Sequence, residues 1–541
     1  MPLPLFRETP AGPLLASVLL ALSCASEASP PPPDPLASRI EAHVQELASD
    51  AYGGRAPGTD GGDAAAEYVE SRLRAAGLEP AGTQGFRQPV PLVGVRTTRG
   101  TRLIWTGSPG EPRGGSGRAD DDPGAGAGRV ETEFFIAGWN RGIERSRTAA
   151  EAVFVGYGVV DEEQGRDDLA GAELEGRWAV ALDGAPPGQP RSLSPVAGQP
   201  VTKLYEARRR GAVGLVLLSH LSDWPEPYDL AREERILPGW GRGERGQPIP
   251  WIAVRGPLVD SLSSGRNLWE AAVAPGFRAF PLAGRIDLEL VQEVRRFEHP
   301  NLLARLPGAD SSAAAAHVCL SAHYDGLGRS RERIYRGVID NAVGVAELLE
   351  AAALAREQGG ARRSLLFFFP TAEEAGLLGS QFFVEHPTVP LDSILGCLNK
   401  DGAPEAWGKA TDVIAIAAAA SPPFEAALQG EVGRLGLAWS RNPFPAEGFF
   451  FRSDHYSFLR AGVPGALLFA GLAFEERPQA WGVEQAMVYL KDHYHRSSDD
   501  VPLVLDWGGP ARYARIWLRL ARALADGPEL PRTEIRLEGA D

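Results

Sequence analysis

Cysteine is scarce. Three occur in 541 residues, Cys24, Cys319 and Cys397, so a disulfide framework is excluded. Basic residues are in deficit: 55 lysines and arginines face 70 aspartates and glutamates, for a formal charge of −15. Nucleic acid is thereby a poor partner, because phosphate binding asks for a basic face. Familiar hydrolase signatures are missing too, with no H-E-x-x-H and no G-x-S-x-G. "GAPEAWGKA" imitates a phosphate loop, but its glycine spacing is one residue too long and Ala410 stands where Ser or Thr is needed. The apolar run "GPLLASVLLALSC" is too short to cross a bilayer as a helix.

That run is where the chain's positive features begin. Its length predicts an export leader, and "ASEASPPPPDP" follows it as a polar, proline-rich tether. Ser23 before Cys24 resembles a bacterial lipoprotein signal. The resemblance implies lipidation of Cys24 and a bacterial cell envelope, with the outer membrane as the default anchor and secretion as the alternative.

Residues 1–24 are read as leader, 25–36 as tether and 37–106 as the N-terminal part of a catalytic domain. A helix in "DGGDAAAEYVESRLRAAGLEPAG" stops at Gly77. Residues 107–130 form a low-complexity loop. Residues 131–296 turn to short β-rich runs with one helix-then-strand unit, "TKLYEARRRGAVGLVLLSH", an inserted domain without a catalytic cluster of its own. In 297–541, unbroken apolar strands such as "HVCLSAHYD" and "SLLFFFPTAEE" alternate with helices. Such alternation predicts an α/β fold, a three-layer α/β/α sandwich on a mixed, largely parallel sheet. Ligands in such folds collect at the carboxyl ends of the strands. Cys319 and Cys397 read as buried strand thiols.

Seven of the nine histidines lie from His299 onward, so metal chemistry is sought there. "SAHYDG" sets His323 and Asp325 two apart, on one side of an extended chain. A metal-bound imidazole commonly donates its other N–H to a carboxylate, and this spacing supplies one. Asp340 precedes a helix in "GVIDNAVGV", Glu373 and Glu374 leave a strand in "TAEEAG", Asp401 stands in "LNKDG" and His495 in "HYHRSSDD". A single acid at a strand-to-helix junction is more often a helix cap. Two histidines with acids at successive strand ends are not explained by capping. Nitrogen and oxygen donors without thiolate suit a catalytic Zn²⁺ site, and two metals ~3.5–4 Å apart can share a bridging carboxylate.

The order His323-x-Asp325, Asp340-Asn341, Glu373-Glu374, Asp401, His495 resembles the zinc aminopeptidase and glutamate carboxypeptidase family, metallopeptidase family twenty-eight. "GRAPGTDGGDAAAEYVESRLRAAGLEPAG", "NLLARLPG" and "RSDHYSFLRAGVPGALLF" resemble other parts of it, and the block between resembles its protease-associated domain. The resemblance implies a zinc exopeptidase-like fold and an exopeptidase with two Zn²⁺. His323, Asp340 and Asp401 would hold one ion, and Asp340, Glu374 and His495 the other. Glu373 would be the general base, Asp325 would orient His323, and Tyr494 would stabilise an oxyanion. Co²⁺ or Mn²⁺ would fit the same donors. Lys400 and Gly402, flanking Asp401, depart from the apolar residues usual there.

Fewer than fifty residues follow His495, which leaves no counterpart of the helical dimerisation domain in the glutamate carboxypeptidase branch and turns the expectation toward an aminopeptidase. A carboxypeptidase or other amidohydrolase on the same scaffold would need a cation for the substrate carboxylate, and Arg452 is the candidate. A non-catalytic, receptor-like module is the reading from another class. The expected partner is a peptide substrate, without nucleic acid, and with a membrane only through the lipid anchor. Oligomeric state is not legible.

Overall fold

The computed structural model describes residues 34–98, 100–106, 129–131, 134–138, 143–161, 165–186, 198, 200–219, 234–240, 249–254, 266–330, 333–478 and 480–532. The leader with Cys24, the tether up to residue 33 and the stretch 107–128 lie outside the described residues. No described helix is long and apolar enough to cross a membrane.

Two capped helices come first. In α1 (Pro35–Leu47) the Asp34 carboxylate accepts from the Leu36 amide at 3.0 Å. In α2 (Asp60–Ala75) the Thr59 hydroxyl accepts from the Gly62 amide at 3.1 Å. Both satisfy amides that the first helical turn leaves unpaired. The chain turns away after α2 where Gly77 takes φ +70°, in the region that favours glycine.

The next elements are β1 (Arg87–Thr97), β2 (Arg102–Thr106), β3 (Phe134–Gly138), β4 (Arg145–Phe154), β5 (Trp178–Leu182), α3 (Pro200–Arg209), β6 (Gly214–Leu218), β7 (Arg235–Pro238), β8 (Pro250–Val254) and β9 (Phe280–Leu306). One sheet runs β2–β9–β4–β5–β6–β8–β3, parallel from β4 to β8. Its strands β5, β6 and β8 are buried on both sides. Trp178, Val180 and Leu182 of β5 enter one core, and Ala179 and Ala181 enter the other, as the two-residue strand period requires.

β9 belongs to two sheets. Its residues 285–291 pair with β4, and residues 292–302 pair with β1. The domain limits drawn at residues 106 and 296 are therefore placed differently here. Leu103 and Trp105 of β2 already sit in the core of the β-rich block, and the chain passes between the sheets inside one strand. "RIDLELVQEVRRF" alternates polar and apolar residues throughout, so no break shows in its pattern.

The second sheet takes up β10 (His317–Ser321), α4 (Val343–Glu357), β11 (Ser364–Phe369), α5 (Leu378–Glu385), β12 (Ile394–Asn399), β13 (Asp412–Ile416), α6 (Pro422–Arg434), β14 (Ala438–Ser440), α7 (His455–Arg460), β15 (Gly465–Ala470), α8 (Trp481–Asp492) and α9 (Gly508–Asp526). Its order is β7–β1–β9–β11–β10–β12–β15–β13–β14, parallel through β11, β10, β12 and β15. α1, α4, α6 and α9 cover one face. α5 and α7 cover the other through Phe383 and Phe458. This is the expected α/β sandwich. Cys319 and Cys397 are buried, free and opposite one another in register.

β10 comes first among the parallel strands, and its successors lie on opposite sides of it, β11 on one and β12 on the other. The strand order reverses at β10, and a crevice opens at the carboxyl ends around such a switch point.

Candidate metal centre

The polar residues gather at that crevice. His323 lies just beyond β10, Glu373 and Glu374 beyond β11, Asp401 beyond β12 and His495 beyond α8, while Asp340 lies in the Val338–Ala342 turn that enters α4. His323 Nε2 is 3.2 Å from Asp340 Oδ1 and 3.3 Å from Asp401 Oδ1. His495 Nε2 is 3.3 Å from Asp340 Oδ2 and 3.2 Å from Glu374 Oε2. The two oxygens of Asp340 thus face the two histidines. Two donors bound at about 2.0–2.1 Å to one tetrahedral ion stand about 3.3 Å apart, so these separations fit a metal between each pair. Asp340 Oδ1 is buried without a hydrogen bond, which an ion would remedy.

The donors of His323, Glu373 and Asp401 lie within 4.8 Å of one another, as do those of Asp340, Glu374 and His495. Glu373 Oε2 stands back at 4.0 Å from His323 Nε2, farther than Asp340. It borders the site at more than ligand spacing.

Charge within the site is lopsided. Burial pushes the Glu373 carboxyl well above the usual range, and the Asp401 and Glu374 carboxylates add to it. Glu374 is raised by burial and by Asp340. Burial would lower His495, but Glu374 and Asp340 outweigh it and raise the imidazole to about 10. His323 is likewise raised, against its burial, by Glu373 and Asp401. Histidines that hold protons amid surplus carboxylate mark a place where added positive charge is favourable.

Asp325 meets His323 through its backbone carbonyl oxygen, 3.3 Å from Nδ1, and less closely through its carboxylate. Its Oδ1 is 3.7 Å from His323 Nδ1, beyond hydrogen-bond length. Its oxygens accept instead from the Glu373 amide at 3.1 Å and the Glu374 amide at 3.4 Å. Tyr494 stacks on His495 with ring centroids 3.9 Å apart, and its hydroxyl accepts from Arg452 Nη2 at 3.1 Å. Lys400 points away from the site, with Nζ 2.6 Å from Glu405 Oε1.

Sequence reasoning missed two supports. Asp499 accepts from the Ile339 amide at 2.9 Å, the Asp340 amide at 3.1 Å and the Tyr489 hydroxyl at 3.1 Å. It stands in "HYHRSSDD", a few residues past His495, and that acidic pair was its only signal. Arg55 is fully buried and answered by backbone carbonyls alone: Tyr324 at 3.0 Å, Leu47 at 3.2 Å, Arg336 at 2.5 Å and Gly337 at 3.0 Å. It binds the segment after β10 to the turn that presents Asp340. Gly337 is needed there, because a Cβ would lie 2.2 Å from the Asp340 carbonyl oxygen.

Beside the centre opens a pocket of about 790 Å³, its mouth included, with Asp340, Asp401, Arg452 and Tyr494 at one end. Trp407, Phe444, Phe449, Leu467, Phe469 and Leu472 form its apolar walls.

Residues 301–521 match the model of Peptidase family M28. A vacuolar membrane protease of Candida dubliniensis is 40% identical over 94 residues, 17% of this chain and 9% of that protein. Leupeptin-inactivating enzyme 1 of Streptomyces exfoliatus is 29% identical over 213 residues, 38% of this chain and 44% of that one. The chain therefore spans less than half of either relative. Among solved structures, an aminopeptidase from Aneurinibacillus sp. strain AM-1 superposes with a TM-score of 0.55 at 19% identity, over 91% of this chain and 95% of that one; this likeness is one of fold. The matches correct the expected location. The relatives include vacuolar membrane proteases of fungi, against which the expected bacterial envelope does not stand.

Proposed function

We propose, on the match of residues 301–521 to the model of Peptidase family M28, that the chain is a zinc-dependent aminopeptidase working with two ions. The Asp340 carboxylate carries this reading, since its oxygens lie 3.2 and 3.3 Å from the two histidines. His323, Asp340 and Asp401 would hold one ion, and Asp340, Glu374 and His495 the other. When bound, the ions would polarise the scissile carbonyl and ease deprotonation of the attacking water.

The chain's own residues then move the protons. Glu373 borders the site without ligand spacing to His323, so its carboxylate is free to take a proton from water and pass it to the leaving amine. Asp325 fixes Glu373 and Glu374 by their amides, which sets one carboxylate toward the water and the other toward His495. Arg452 donates to the Tyr494 oxygen, leaving the phenolic hydrogen to be donated to an oxyanion. The pocket's apolar walls suit a large apolar side chain. We also read the β-rich block as a protease-associated domain.

Elemental analysis paired with a panel of amino-acid arylamides tests the reading. We expect two zinc ions per chain and fastest cleavage of leucyl or phenylalanyl arylamides; a metal-free active enzyme would refute it. Arg452 favours a second reading, because it lines the pocket and has N–H groups beyond those given to Glu447 and Tyr494. Cleavage of N-acetylated but not C-amidated peptides would select a carboxypeptidase.

A further inference from the structure

Lys400 is buried beside Asp401 in the chain, yet its ammonium serves another group. Nζ pairs with Glu405 Oε1 at 2.6 Å and donates to the Gly402 carbonyl, with both side chains inaccessible to solvent. Tyr513 and Phe469 present their ring faces at 5.0 and 5.7 Å. Glu347 of α4 is buried as well. Burial and the Glu405 carboxylate hold its carboxyl well above the usual range.

A buried ion pair adds little stability over an apolar pair of the same volume. What this one fixes is a loop. Between Lys400 and Glu405 lies Asp401, 3.3 Å from His323; Gly402, Ala403, Pro404 and, just beyond, Trp407 line the apolar pocket. At the other end, the Lys400 amide donates to the Ser321 carbonyl at 2.7 Å, and its carbonyl accepts from Asn341 Nδ2 at 2.9 Å. The chain is thus held at the end of β12 and again at Glu405.

We infer that Lys400 and Glu405 are positioning residues, a buried clamp that sets the Asp401 carboxylate and the pocket floor together and so governs which side chain is accepted. The selectivity half rests on the aminopeptidase reading. The metal half rests only on the placing of Asp401.

Separating this from a merely structural role takes a double variant. Lys400→Met alone leaves carboxylate uncompensated and should lower Tm. Lys400→Met with Glu405→Met restores a neutral, filled interior, and Tm should return toward that of the unaltered protein. The clamp predicts that the double variant still loses at least tenfold in the ratio of kcat/KM for leucyl over alanyl arylamide. It also predicts zinc affinity weaker by about tenfold or more in chelator competition, as when a ligand's support is removed. A double variant with restored Tm, unchanged ratio and unchanged zinc affinity would overturn it. If that variant does not fold, Glu405→Gln keeps the shape and should move both readouts the same way by a smaller factor; unchanged values there would equally overturn the clamp. Should the unaltered protein cleave no arylamide, the aminopeptidase reading fails, while the zinc measurement still decides for or against the clamp.

Discussion

Lys203 in the β-rich block and His323 in the α/β sheet are both buried nitrogen bases, and they meet opposite surroundings. Lys203 Nζ donates to the Leu182 carbonyl at 2.8 Å and the Gly184 carbonyl at 2.6 Å. Asp168, near it, pairs with Arg166 and accepts from the Val159 amide. Lys203 and Asp168 thus each have partners, which is what folding requires of a polar group removed from water. His323 has four carboxylates within 4.0 Å, and Asp340 Oδ1 among them lacks any hydrogen bond. A chain folded only for stability would not crowd acids in this way. The first arrangement is a desolvation problem solved by the protein. The second would be relieved by a cation from outside.

The largest expected effect tests that contrast at its reactive end. Glu373→Gln removes a proton acceptor without removing a donor at ligand spacing. Zinc content should stay at the level of the unaltered protein while kcat falls by about 10²–10⁴-fold. Turnover like that of the unaltered protein would remove Glu373 from the chemistry. Next in size is the difference between a shared and an unshared ligand. Asp340→Ala should deplete both ions, whereas Glu374→Ala should deplete one. Equal metal loss in the two variants, measured by elemental analysis after gel filtration, would contradict the sharing.

Much of this centre was legible in the chain, for a physical reason. Strands buried on both sides are largely apolar runs, so the polar residues that follow each run mark a strand's end, and His323, Glu373 and Asp401 were found among them. Asp340 and His495 needed the order of motifs as well. Arg55 and Asp499 could not be found so, because apart from the Tyr489 hydroxyl their partners are backbone carbonyls and amides, which carry no residue identity. The pocket was illegible for a related reason. Its walls come from the segments after β12, before α7 and along β15 and α8, and only folding brings Trp407, Phe444, Phe469 and Tyr489 together. Lys400 was legible only as a departure from the apolar residue usual beside Asp401, because its partner Glu405 is found by folding. The leader misled about location, since a short apolar run speaks of translocation and leaves the compartment unstated.

Arg55 and Lys203 sharpen the comparison, because both buried cations rest on carbonyls but only one holds a segment of the centre. Arg55→Leu should weaken zinc binding by about tenfold or more in chelator competition, as loss of a ligand's outer support does. Lys203→Met should leave zinc affinity and arylamide cleavage unchanged. Its effect should appear only in stability against pH. Burial lowers the Lys203 amine to about 8, only partly opposed by Asp183 and Asp168, whereas an ordinary lysine titrates at 10.5. Between those values the unfolded chain binds more protons than the folded one, so stability rises with pH. The gain is complete above 10.5 and is lost as pH falls through 8. Denaturant midpoints taken across that window should therefore climb more steeply for the unaltered protein than for Lys203→Met. Equal slopes would mean that the amine is solvated in the folded state, and the contrast with the crowded centre would lose its well-satisfied half.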